Sequence, residues 1–178
     1  SQIEAASFDV AQDSANTQGD ITDWLVEPIN TLISSTGVSV TAADIAISSF
    51  TSAVAGAEGN QAGTDGGFRF TVELHKGLSS LTTAALTGTI TARPGYSITV
   101  ATCTNGTVTA DKSVAANGVT VTLTLAPDNG YEPDAVSAFK TGEETTIVTL
   151  SGTGNTRTFL MPAFDVTVSA SFKKTDDL

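Results

Sequence analysis

Between residues 119 and 125 every second side chain is apolar and each one between is a threonine: Val119, Val121, Leu123 and Leu125 alternate with Thr120, Thr122 and Thr124. Successive side chains of a strand point to opposite sheet faces, so a period of two predicts one face in a core and the other in water. The alternation recurs at Phe68, Phe70, Val72 and Leu74, set between Arg69, Thr71, Glu73 and His75. It returns at Leu86, Ile90 and Ala92, between Thr87, Thr89 and Thr91. From Tyr96 onward no helical period interrupts it, and Ile98, Val100, Val136, Ile147, Phe159 and the Val166, Val168, Ala170, Phe172 series mark further short strands.

One segment breaks the rule. Ile21, Trp24, Leu25, Ile29, Leu32 and Ile33 recur at helical spacing and predict an amphipathic helix. Asp20 reads as its N-cap, Asp23 as a first-turn acid suited to the helix dipole, and Gly37 as the residue that stops it. Pro28 predicts a kink or a fresh start, because inside a helix it removes a hydrogen bond. Trp24 has two readings, sugar platform or core, and its place on the stripe favours core. Ile45 and Ile47 share a parity that Phe50 breaks, which predicts a β-bulge near Ser48-Ser49. The Gly- and Ala-rich stretch from Ala55 to Gly67 reads as an exposed loop. The first module is therefore an α+β unit, one helix on an antiparallel sheet. Pro94-Gly95 reads as the boundary, giving modules 1–94 and 95–178. The second is all-β or nearly so, with Asn105-Gly106 suiting a type I′ hairpin turn.

The chemistry available is sparse. The formal net charge is −11, and both modules are acidic, with ten acids against three bases in residues 1–94 and nine against five in 95–178. Neither holds the basic stripe that phosphates need, so nucleic acid is disfavoured, and an anionic membrane surface would repel the protein. Steering of a cationic partner remains open, beside the plainer role of charge in solubility. Cys103 is the single cysteine, so it forms no intrachain disulfide, and it reads as a small buried residue in a strand. His75 is the single histidine and is predicted on the wet face of a strand, so a Ser-His-acid triad is not expected. One His and one Cys do not make a zinc site. Glu143-Glu144 sits in a Gly-flanked turn where both acids are solvated, unlike a glycosidase pair. Asp128, Asn129, Glu132 and Asp134 crowd one loop but lack EF-hand spacing, and read as a turn. Residues 151–155, Ser-Gly-Thr-Gly-Asn, are not followed by the Lys-Ser/Thr of a phosphate loop and read as a hairpin connection. No catalytic, cofactor-binding or metal site is expected. The sequence contains no secretion signal, apolar spanning run or wall-sorting tail, and its opening at Ser1 reads as a piece of a longer polypeptide.

Two stretches resemble known modules. Asn105-Gly106-Thr107-Val108, the Val119–Leu125 strand, Pro127-Asp128-Asn129-Gly130-Tyr131-Glu132, and Met161-Pro162-Ala163-Phe164-Asp165-Val166-Thr167-Val168 leading to Phe172 give residues 96–173 a resemblance to the divergent internalin-B-type B-repeat. That family usually carries an acid or small polar residue where Phe164 stands. Residues 3–93 resemble a tandem repeat module of surface proteins of Gram-positive anaerobes, through 5–12, 47–56, 63–68 and 87–92; Trp24 and Pro28 are less typical of it. The resemblances imply a β-grasp-like second module, secretion or display at the cell surface, and a non-catalytic role as a spacer supporting adhesion. In that setting an internal isopeptide bond is a further possibility, with Lys76, Lys112 and Lys140 as candidates. The alternative function is a binding module for glycan or a host or cell-surface protein, with Tyr96 and Tyr131 as the aromatic contacts; loops on a rigid scaffold commonly carry such roles.

Overall fold

In the computed structural model, which describes residues 2–175, the apolar stripe is a helix, α1 (Gln18–Ile33), burying Ile21, Leu25, Ile29 and Ile33. It starts earlier than the sequence reading places it. Thr17 is the N-cap: its hydroxyl accepts from the Asp20 N–H, and Asp20 Oδ2 accepts from the Thr17 N–H, each at 3.2 Å. Asp20 is thus the third helical residue of a capping box rather than the cap itself. The helix continues through Pro28 without restarting. A 3-10 turn, Ser34–Thr36, follows, and Gly37 ends the run at φ 70°, in the left-handed region where a Cβ is strained.

The helix belongs to a first unit made of residues up to 55 together with 63–93. Its strands are β1 (Phe8–Ala11), β2 (Ile45–Thr51), β3 (Gly66–Lys76), β4 (Ser79–Thr82) and β5 (Leu86–Thr91), in the order β1-β5-β3-β2 with β4 added to β3. β1 runs parallel to β5, so the sheet is mixed and not wholly antiparallel as expected. Alternation reports which face a residue takes, not which direction its neighbour runs. The bulge falls where the parity break puts it, since Ile47 pairs with Phe70 and Ser49 with Arg69, leaving Ser48 extra. Phe8 and Phe70 meet edge to face, centroids 5.1 Å apart, in the core. Gly88 makes room for this cluster: a Cβ there would lie 2.2 Å from Phe68 Cζ and 2.4 Å from the Phe8 carbonyl oxygen.

Two asparagines act as backbone substitutes. Asn30 donates to the Val40 carbonyl and accepts from the Val40 N–H, both at 2.8 Å. Asn16 does the same for Ala53, at 3.0 and 2.8 Å. Between β2 and β3, Val54 and Thr64 exchange two backbone bonds of 2.8 Å, so the exposed loop is shorter than the composition suggests, spanning 57–62.

The second unit comprises residues 94–178 with the 56–62 segment. Its strands are β6 (Gly95–Val100), β7 (Gly106–Ala110), β8 (Val114–Ala116), β9 (Thr120–Pro127), β10 (Tyr131–Lys140), β11 (Glu143–Val148), β12 (Thr156–Leu160) and β13 (Val166–Lys174). They form a five-stranded sheet, β11-β10-β13-β6-β8, and a three-stranded sheet, β12-β9-β7, with no helix among the described residues. β6 and β13 run parallel, and the other pairs are antiparallel. The alternating series buries Val121, Leu123 and Leu125 against Ala138, Phe159, Met161, Val166 and Val168.

Asn105-Gly106 is not a hairpin turn. It joins β6 of one sheet to β7 of the other, and only Asn105 takes positive φ, at 65°. Gly106 is required for a different reason: a Cβ there would sit 2.8–2.9 Å from the Phe172 ring.

Candidate functional site

Tyr96 opens β6 next to Gly95, and Tyr131 opens β10; both are half-buried and pack on the second core. The structure does not bring them together. Ile98, two residues after Tyr96, pairs with Val166 at one end of β13, whereas Tyr131 pairs with Lys174 at the other. At about 3.3 Å per residue, those two positions on β13 lie about 26 Å apart, with Tyr96 further still. The two rings do not make one stacking platform.

His75 lies on the β3–β4 hairpin, its side chain 52% exposed, with Nε2 3.5 Å from Asp44 and 3.8 Å from Glu73. Ser80 faces His75 across that hairpin, but both residues are exposed rather than enclosed in a pocket, and no hydrogen bond joins their side chains among the described residues. Asp44 accepts from the Thr41 N–H at 2.7 Å and the Thr41 hydroxyl at 2.9 Å. These bonds, in that order, hold its carboxyl below its ordinary value, with a smaller contribution from His75. Partial desolvation pushes the Asp111 carboxyl up, but Lys112 and the Thr122 N–H, 2.8 Å away, outweigh it and leave the group lowered. Lys140 and the Thr146 hydroxyl lower Glu143, and its neighbour Glu144 is exposed. Asp44, Asp111 and Glu143 are thus each occupied by a local cap or surface pair.

The remaining candidates are likewise structural. Glu132 lies 3.2 Å from Lys173, and Asp134 accepts from Ser171 at 3.0 Å, so both acids brace β10 to β13. Among the described residues no group of three His, Cys, Asp or Glu side chains is placed to hold a metal. Lys112 and Lys140 pair with Asp111 and Glu143 at the surface, and Lys76 is exposed; among the described residues no charged group is buried as an assisting acid would have to be. Cys103 is half-buried in the loop between β6 and β7, not in a strand, with Sγ 3.4 Å from the Ala101 carbonyl. Trp24 is half-buried against the first core. The Gly-rich 151–155 segment closes on itself through a Ser151–Thr158 bridge.

Two surface features stand apart from these residues. One is an open groove of about 350 Å³ in the second unit, lined by Val148, Thr149, Phe159 and Leu160 among others. Leu160 is 65% exposed and stands where the pattern puts threonine, which is the one trace in the sequence. The other is a field of hydroxyls on the outer face of the three-stranded sheet. Thr109, Thr124 and Thr156 lie in one cross-strand row, and Thr122 pairs with Thr158 in the next.

The β12-β9-β7 and β11-β10-β13-β6-β8 arrangement covers the span that a family model also picks out. Residues 96–176 match the divergent InlB B-repeat domain. No curated protein and no solved structure matches the sequence. The B-repeat strings fall on structural positions: Met161, Val166, Val168 and Phe172 are core residues, and Pro127–Tyr131 makes the turn from β9 into β10. Phe164 packs half-buried with Lys140 Nζ 6.0 Å from its ring centroid, within reach of a cation–π contact. The matched residues thus correspond to a bacterial repeat domain, which implies a surface or structural module. No described helix is long and apolar enough to cross a membrane.

Proposed function

We propose that the protein is a non-catalytic spacer within a secreted or cell-surface bacterial protein, holding another part of that protein away from the wall to support adhesion. The observation that carries this reading is the placement of the B-repeat strings: they lie in the core and turns of the second unit and converge on no reactive group. Two further features support it. Thr and Ser outnumber Lys and Arg on the exposed strand faces, and the whole sequence has eight basic residues, so trypsin-like proteases find few sites. The parallel β6–β13 pair at the middle of the five-stranded sheet suits a β-grasp-like derivation of the B-repeat.

The test is a binding and activity survey of the intact protein on glycan arrays, matrix proteins and hydrolase substrates. A spacer is silent in all three. Saturable glycan or protein binding that is lost in Tyr131→Ala or Tyr96→Ala at unchanged Tm would replace this reading with the binding-module one. Turnover at an enzyme-like rate would remove both.

A further inference from the structure

The sequence holds three Asn-Gly dipeptides, Asn105-Gly106, Asn117-Gly118 and Asn129-Gly130, all in the second unit. The glycine nitrogen of such a pair is unshielded by a Cβ and can attack the preceding asparagine Cγ. A new N–C bond closes a cyclic imide. The bond from Cγ to Nδ2 breaks, and the amide nitrogen leaves as ammonia with the proton given up by the glycine nitrogen. Water then opens the imide at one of its two carbonyls, leaving aspartate or iso-aspartate. Water is the sole co-reactant, and no oxidation state changes.

The fold treats the three pairs differently. At Asn117 the attacking and the leaving nitrogen are tied to one acceptor: Gly118 N–H donates to the Met161 carbonyl at 2.8 Å, and Asn117 Nδ2 donates to it at 3.0 Å. Met161 is 1% exposed, so that acceptor is fixed in the core. At Asn105 the backbone is pinned at φ 65°, and its carbonyl accepts from the Asp128 N–H at 3.0 Å. Gly106 is buried against the Phe172 ring, which a swing of the peptide would have to displace. Asn129 and Gly130 are both exposed at the turn between β9 and β10. Gly130 is held through its carbonyl, which accepts from the Thr175 N–H at 2.9 Å and hydroxyl at 3.0 Å. Among the described residues no hydrogen bond uses the Asn129 side chain.

We propose that Asn129 is a self-modifying site of this protein, deamidating through the Gly130 nitrogen while the native fold protects Asn105 and Asn117. The product adds a negative charge beside Asp128. In its iso-aspartate form it lengthens the turn backbone by one carbon at residue 129, just before Gly130 and two residues ahead of Tyr131 at the edge of the second core.

The intact protein is aged at mildly alkaline pH, and its peptides are mapped with fragmentation that separates Asn117 from Asn129. The replacement of an amide by an acid accumulates at Asn129 on the order of tenfold faster than at either other site, because those sites must first open hydrogen bonds or packing. In strong denaturant the three rates converge, and Asn129→Gln removes the early product under native conditions. Native reaction at Asn105 or Asn117 as fast as at Asn129 overturns the proposal. So does a tenfold preference for Asn129 that persists in denaturant, since the fold would then not be what selects it.

Discussion

Gly106 and Gly88 are glycines because a neighbour's ring already fills the volume a Cβ would take. The sequence around Asn105-Gly106 supports a hairpin turn equally well; the placement of β6 and β7 in different sheets excludes it, and the Phe172 ring 2.8 Å from the missing Cβ gives the reason for the glycine. Gly106→Ala should therefore destabilise the second unit by about 1–3 kcal/mol through overpacking. Pairing it with Phe172→Leu should recover part of that loss, as measured by urea unfolding of the single and double variants. Additive losses would mean the ring is not what excludes the methyl. Asp44 offers a second check at this scale. Its carboxyl is lowered from an ordinary 3.8 by the Thr41 N–H and hydroxyl, so it binds its proton less readily folded than unfolded. The stability this adds is fully present above the unfolded value and is lost as pH falls through the folded one. The stability gap between the native protein and Asp44→Ala should consequently narrow in acid below that ordinary value. A gap that stays constant from neutral pH into that range would show that ionisation of Asp44 does not matter to the 3-10 turn at Ala42–Asp44.

At the scale of elements, the alternation of apolar side chains with polar ones marked nine of the thirteen described strands and missed the short β1, β4, β7 and β8, while the parity break at Phe50 located the Ser48 bulge. The alternation left two further things hidden, both for one reason. A period of two says which side chains share a face, but it names no partner strand. The parallel β1–β5 pairing and the division of the second unit into two sheets were therefore out of reach. The helix was legible from its stripe, yet its start was set three residues late, because an aspartate suits both the cap and the third position while Thr17 lies outside the apolar series. Thr17→Ala tests the assignment and should cost about 1 kcal/mol by thermal or urea unfolding; Asp20→Ala, which removes only the reciprocal half of the box, should cost less. The reverse ranking would return the cap to Asp20. Asn16 and Asn30 were invisible in the pattern, being polar residues whose value lies in mimicking a peptide group for residues 37 and 10 positions away.

The whole molecule holds its candidate chemistry apart, which is why the site was the least legible part of the sequence: Tyr96 and Tyr131 belong to one sheet but to opposite ends of it, and no spacing in the sequence reveals that. Each unit has its own core, and we expect each to unfold on its own account. The protein supplies a probe for each, since its single tryptophan, Trp24, lies in the first unit and both tyrosines lie in the second. Trp24 fluorescence and the near-ultraviolet tyrosine dichroism should report different midpoints on heating, the signature of a departure from two-state behaviour. A fragment of residues 94–178 alone should still melt cooperatively by the tyrosine signal, but at a lower temperature than the same unit in the intact protein. It lacks the 56–62 segment, whose Gln61 carbonyl accepts the Gly95 N–H at 2.7 Å and whose Gly56 backbone packs within 2.9 Å of where a Gly95 Cβ would be. One buried hydrogen bond with its packing is worth about 1–2 kcal/mol, or several degrees for a domain of this size. Coincident melting of the two probes in the intact protein, together with a 94–178 fragment that shows no transition, would mean that the cores form one cooperative structure and that Pro94-Gly95 divides nothing.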